Sequence, residues 1–177
     1  MRCLACLILA LAVCGTVAAA DLPERAEVRT LIEESQRWFL AQAQEDGAFM
    51  IEGGPLRLGT TALALEALLA EPLAVPLDDA RIQRGLAFIA KHQQEDGGIY
   101  DPNEGLQNYI TSLALLVWSR IPADADVPRI DIGKAQQKLI GMQNTDEDDI
   151  NYGGIGYGSS GPTHEDLNNT TYAVAAL

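Results

Sequence analysis

The sequence predicts an all-α domain built from helical hairpins, and three observations predict it. A two-part phrase, a Gly-containing turn followed by an apolar helix opening with Thr, occurs three times. The period is about 50 residues, the signature of stacked supersecondary units. The helices predicted before and after each turn alternate in kind. Those before it have one apolar stripe, and those after it are apolar on nearly every side. No stretch alternates apolar and polar residues with the two-residue period of a strand.

The first copy joins Gln44-Glu45-Asp46-Gly47-Ala48-Phe49 to Thr61-Ala62-Leu63-Ala64-Leu65-Glu66-Ala67-Leu68. The second joins Gln93-Gln94-Glu95-Asp96-Gly97-Gly98-Ile99 to Thr111-Ser112-Leu113-Ala114-Leu115-Leu116-Val117-Trp118. In the third, Gln143 and a longer polar loop lead to Gly153-Gly154-Ile155, then to Thr170-Thr171-Tyr172 and an apolar end at Leu177. Aligned on these residues, Gln44, Gln93 and Gln143 form one column, the three glycines a second and the three threonines a third.

Each element has its own cause. Pro23 suits a first helical turn, and Val28, Leu31, Ile32, Ser35 and Phe39 recur at helical spacing up to Gln44, opposite a charged face. This predicts an outer helix with one wet side. Leu58–Ala70 carries Glu66 as its only charge, so it reads as an inner helix buried all round, with Glu66 reaching the surface or pairing with an arginine. Asp78 or Asp79 caps the next outer helix, which runs to Gln94, and Leu106–Arg120 repeats the inner pattern. Asp131 caps a third outer helix ending near Gln143, and Asp166 or Asn168 caps a third inner one. Buried helices then form an inner ring and amphipathic ones an outer ring. Closing such a ring takes about six hairpins. The expectation is therefore about half a ring, from a fragment that self-associates through its open apolar flank.

Composition narrows the function. The chain has 177 residues and a net charge of −13, from 12 Lys+Arg against 25 Asp+Glu. Such a charge disfavours nucleic acid and anionic membranes as partners. Residues 1–20 read as a signal peptide: Arg2, an apolar run over Leu4–Val13, then Ala18-Ala19-Ala20 before the cut. The expected product is a secreted or periplasmic domain over 21–177 with no transmembrane anchor. Cys3, Cys6 and Cys14 all fall in the leader, and Val13 makes Cys14 a poor lipidation signal. The mature chain then holds no thiol, hence no disulfide and no thiolate–zinc site.

The repeated Gln, Gly and Thr, with a bulky residue after the turn, resemble the repeats of squalene–hopene and oxidosqualene cyclases and of protein prenyltransferase β subunits. The resemblance covers nearly all of the mature chain and implies an α/α toroid. For the cyclases it implies isomerase chemistry on an apolar small molecule. Where the cyclase turn carries Trp, this chain has Phe49, Ile99 and Ile155. The prenyltransferase zinc site does not transfer, because Asn169 stands where the family's His would fall and Cys is missing. His164 reads as a loop residue and His92 as a solvated helix residue. The repeated Gln, Gly and Thr read as scaffold: an amide for orphan backbone groups, a tight reversal, and a cap or small packing residue.

Asp146-Glu147-Asp148-Asp149 spells the Asp-x-Asp-Asp string that resembles the protonating motif of these cyclases. That resemblance makes Asp146, Asp148 and Asp149 the candidate catalytic acids. Clustered carboxylates keep one acid neutral only in a dry cavity, and this string lies in a hairpin loop. The same side chains are hard oxygen ligands, so calcium is the one metal they suit. Gly153–Gly161 follows no strand and precedes no Lys, so it is no phosphate loop. It reads as a mouth loop, with Tyr152, Tyr157 and Tyr172 lining a ligand. Two rivals to the cyclase-like reading stand: a non-catalytic exported scaffold that binds a protein, and a glycan-active α/α barrel. The last needs two carboxylates about 5–10 Å apart, drawn from Glu165 or Asp166 and the acidic loop.

Overall fold

The computed structural model describes residues 25–49, 56–158 and 165–177. The leader, Pro23, the Gly53-Gly54-Pro55 loop and His164 lie outside them. The described residues form six helices and no strand. They are α1 Arg25–Ala41, α2 Arg57–Leu68, α3 Ala80–Ala90, α4 Gln107–Ser119, α5 Ile132–Ile140 and α6 Leu167–Ala176. The chain divides into two units between Glu33 and Glu34, within the span of α1. Within the first, Thr30 donates its hydroxyl to the Ala26 carbonyl at 3.0 Å and Arg29 faces Glu33 at 3.5 Å.

Residues 34–177 hold the repeat. The three apolar helices stand in a row, with α4 between α2 and α6. The amphipathic helices flank the row, α3 against α2 and α5 against α4. This placement follows from the side chains. Helix α4 buries nine of its thirteen residues, Ile110, Leu113 and Val117 among them. Large aliphatic side chains of this kind each contribute about 1.5–3 kcal/mol when fully buried. Helix α3 buries only Ile82, Gly85, Leu86, Phe88 and Ile89, its single stripe. Glu66 does pair with an arginine, Arg120, the cap residue of α4.

Helix α1 departs from expectation, for none of its residues is buried. Phe39 and Leu40 pack half-buried on the core, and Gln36 donates its amide to the Leu73 carbonyl at 2.5 Å. The caps of the other amphipathic helices are Asp79, accepting from the Arg81 N–H at 2.8 Å, and Asp131, accepting from the Lys134 N–H at 3.0 Å. Asp166 caps α6, accepting from the Asn169 N–H at 2.8 Å. Helices α2 and α4 start instead from Leu56 and Leu106 in the left-handed region, with no side-chain cap.

Two devices recur in every hairpin turn. Gly47, Gly97 and Gly153 have φ of +95°, +88° and +83°, a conformation that costs a side chain bearing a Cβ about 1–2 kcal/mol. The threonines do not cap their helices. Each hydroxyl accepts the N–H of the bulky turn residue: Phe49 on Thr61 at 2.9 Å, Ile99 on Thr111 at 2.9 Å, Ile155 on Thr170 at 3.0 Å. A turn N–H buried by its own apolar side chain is thereby satisfied.

The backbone corrects the glutamine column. Gln44 accepts the Gly47 N–H and donates its own to Ala48, as Gln94 does with Gly97 and Gly98 and Asn144 with Gly153 and Gly154. Gln44 therefore matches Gln94 and Asn144. Gln93 and Gln143 form the column before it, each donating its amide to the carbonyl of the turn glycine, at 3.0 and 2.9 Å. Gln93 also grips the start of α5, donating to the Asp131 carbonyl at 2.9 Å and accepting its N–H at 2.7 Å.

Candidate functional site

The acidic loop is exposed and locally occupied. Asp146 accepts the Asp148 N–H at 3.1 Å, and Asp149 accepts the Asn151 N–H at 2.8 Å. Asp146, Asp148 and Glu147 face solvent, and Asp149 is half-buried. This is not the dry setting that holds a carboxylic acid neutral. Among the described residues no three His, Cys, Asp or Glu side chains are grouped to hold a metal ion.

The three tyrosines separate into two places. Tyr172, on α6, meets Tyr109 of α4 edge-on, with ring centroids 4.9 Å apart. Burial, then the hydrogen bond to Tyr172, pushes the Tyr109 hydroxyl up to about 12. The Tyr157 carbonyl accepts the Asn108 N–H at 3.1 Å, while its side chain is exposed. Of the three, Tyr152 alone lines a cleft of about 460 Å³, with Gly153, Glu165, Asp166, Leu167 and Thr170. None of Asp146, Asp148 or Asp149 lines that cleft. Asp166 is engaged there: the Asn169 N–H, then the Asn169 side chain, hold its carboxyl below the usual range. The carboxylate pair of a glycan-active site is not assembled in it.

Sequence reasoning missed a buried amide network joining α4 to α6. Ser112 donates to the Asn108 side-chain oxygen at 3.1 Å. Asn108 donates to the Asn169 carbonyl at 3.1 Å, and Asn169 donates to Asp166 at 2.6 Å. Asn108, Ser112 and Asn169 are fully buried, so the chain of bonds fixes the two helices in one register. The signal in the sequence was the amides and hydroxyl of Asn108, Ser112 and Asn169 inside two helices that carry no charged residue. His92, expected in solvent, is half-buried, its Nδ1 2.7 Å from the Phe88 carbonyl and its ring 4.8 Å from that of Phe88.

The cleft takes its meaning from the repeat. Counting from the threonines, Leu167 occupies the position of Leu58. Counting from the glycines, Tyr152 occupies that of Asp46. Around Asp46 and Leu58 the same corner is roofed by Phe88, Lys91 and His92 of the next amphipathic helix and its end, leaving about 180 Å³. Leu58 is 2% exposed there, whereas Leu167 is 87% exposed. Two cations stack on that roof's Phe88 ring, Lys91 Nζ at 4.4 Å and Arg57 at 5.5 Å. Arg57 also reaches Asp46 at 2.6 Å. Neither a protein-family model nor a curated protein sequence matches the chain.

Proposed function

We propose that the chain is an exported, non-catalytic binding module of the cyclase and prenyltransferase repeat type, an arc of an α/α toroid that receives an apolar helix in its open cleft. The observation that carries this reading is the cleft of about 460 Å³ at the start of α6, in whose wall Leu167 is 87% and Tyr152 58% exposed. Apolar surface left open in a shaped corner marks an interaction site. The adjacent row of apolar helices supports the toroid, and the residues at 1–20 support export. The acidic loop supports the non-catalytic choice. Asp146, Glu147 and Asp148 are exposed, whereas alkene protonation calls for carboxylates clustered in a dry cavity.

A polarity-sensitive naphthalene-sulfonate dye tests the reading. The expected result is saturable binding that Leu167→Asp weakens at least about ten-fold, or about 1.4 kcal/mol, with an unchanged circular dichroism spectrum. Dye binding indifferent to Leu167→Asp would overturn it.

A further inference from the structure

We propose that the cavity under the first seam binds a small zwitterion, a free basic α-amino acid, through the cations of Arg57 and Lys91 and the carboxylates of Asp101 and Glu104. The site lies inside the array, where turn one, the start of α2, the end of α3 and the loop ahead of α4 converge. It shares no residue with the cleft at α6.

The cavity measures about 180 Å³. One water needs about 10–15 Å³ of such space, so a molecule of about ten non-hydrogen atoms fits. The walls carry both signs of charge with bonding capacity left over. Lys91 Nζ and the Arg57 guanidinium lie 4.4 and 5.5 Å from the centre of the Phe88 ring. Arg57 gives one terminal nitrogen to Asp46 at 2.6 Å. Its Nε is buried and has no hydrogen-bond partner among the described residues. Asp101 uses Oδ1 on the Asn103 N–H and side-chain amide, at 2.9 and 3.0 Å. Glu104 uses Oε1 on the Leu56 N–H at 3.3 Å. Among the described residues no ion pair engages Lys91, Asp101 or Glu104. His92 Nδ1 lies 2.7 Å from the Phe88 carbonyl, which only accepts, so in the neutral ring Nε2 is left as an acceptor. A ligand carboxylate answers the cations, and a ligand ammonium answers the carboxylates and His92. With Arg57 balanced by Asp46, two carboxylates stand against Lys91. That excess favours a ligand of net positive charge, with one carboxylate and two cationic groups.

The second seam shows that this is no general property of the array. Gln107 opens α4 as Arg57 opens α2, and Gly141 and Met142 follow α5 as Lys91 and His92 follow α3. Met142 Cε takes the place that a Cβ on Gly158 would occupy, beside Gln107. A thioether fills that corner, whereas the first seam keeps space and lines it with charge.

Calorimetric titration of the full chain with L-lysine tests this, with n-butylamine as the cation alone and L-glutamate as the amino acid of opposite charge. The expected result is one lysine per chain with a Kd below about 1 mM, and at least about ten-fold weaker binding of the other two. Asp101→Asn and Glu104→Gln keep side-chain shape and an acceptor oxygen, and Lys91 is exposed. These two variants and Lys91→Ala are each expected to weaken lysine binding at least about five-fold with unchanged dichroism. Leu167→Asp is expected to leave it as it was. No binding up to about 10 mM lysine, n-butylamine or glutamate binding as tightly as lysine, or lysine binding indifferent to all three variants would overturn the inference. Loss of lysine binding in Leu167→Asp would overturn it too, since it would place the ligand in the other cleft.

Discussion

The second and third turns of this chain share a backbone and differ in company. Gly97 and Gly153 have nearly the same φ, and Ile99 and Ile155 are pinned to Thr111 and Thr170 at nearly the same distance. Around Gly97 the next helix closes in, Lys138 meets Asp96, and Gln93 holds the start of α5. Around Gly153 stand Tyr152 and Leu167, 58% and 87% exposed. The difference teaches that the turn geometry is built by each hairpin for itself, whereas the seam is built by two. A seam position tests the neighbour; a pin position tests the hairpin.

The sharpest way to break this distinction is at the glycines. Gly97→Ala is expected to cost about 3–4 kcal/mol, the left-handed penalty plus overpacking against α5. Gly153→Ala is expected to cost only the first part, about 1–2 kcal/mol. Urea unfolding measures both, and equal costs would erase the difference between a closed and an open seam.

The pins come next. Thr111→Val removes the acceptor from a buried N–H and is expected to cost about 2 kcal/mol. Thr170→Val, at a half-buried bond, is expected to cost about 1 kcal/mol. The two measured by thermal and urea unfolding should differ less than the two glycines do, since each pin is internal to its hairpin.

A smaller effect concerns α3, the helix that closes the first seam. The hydrogen bond from Arg81 holds the Asp79 carboxyl down to about 2, burial opposing. Asp79→Ala is expected to cost about 1 kcal/mol at neutral pH, as caps do. Because the folded pKa lies below the ordinary 3.8, the native cap contributes fully above that value. Its contribution fades as pH falls toward 2. The gap between wild type and variant should therefore be flat from pH 7 to about 5 and shrink below about 4. A gap that widens in acid would contradict the assignment.

The smallest effect belongs to the acidic loop. Asp148→Asn, at an exposed position, is expected to change stability by no more than about 0.5 kcal/mol. A larger change, or a melting temperature that responds to millimolar calcium, would show that the loop holds more than its own turns.

The repeat was legible because its causes are local. Gly at a left-handed turn and Asp at a helix start are chosen by the backbone beside them. The row was legible only in part: α4 buries nine of its thirteen residues, but α2 leaves Leu63 42% exposed and α6 buries only Asn169 and Ala173, against the expectation of inner helices buried all round. The glutamine column slipped by one because Gln93-Gln94 offers two candidates and the side chain looks alike in both. Only the backbone bonds of Gln44 and Asn144 decide between them. The Asn108–Asn169 network depends on α4 lying beside α6, a fact of packing that spacing does not encode. Leu56 and Leu106 as left-handed helix starts were illegible for the opposite reason, since leucine rarely adopts that conformation. The open cleft could be read only by setting Leu167 beside Leu58.

Pinning also decides where foreign sequence can be accommodated. The backbone pair at the base of the turn spans Gln94 to Gly98 in the second hairpin and Asn144 to Gly154 in the third, yet both close at 2.8 Å. The longer excursion leaves the base, the glycine and the threonine bond as they are. Extra loop length costs little once the ends are fixed, about 0.6 kcal/mol per doubling. The segment between Asn144 and Asn151 is therefore a natural port for display, where an epitope tag or a reporter peptide can be exchanged without the helices registering the change.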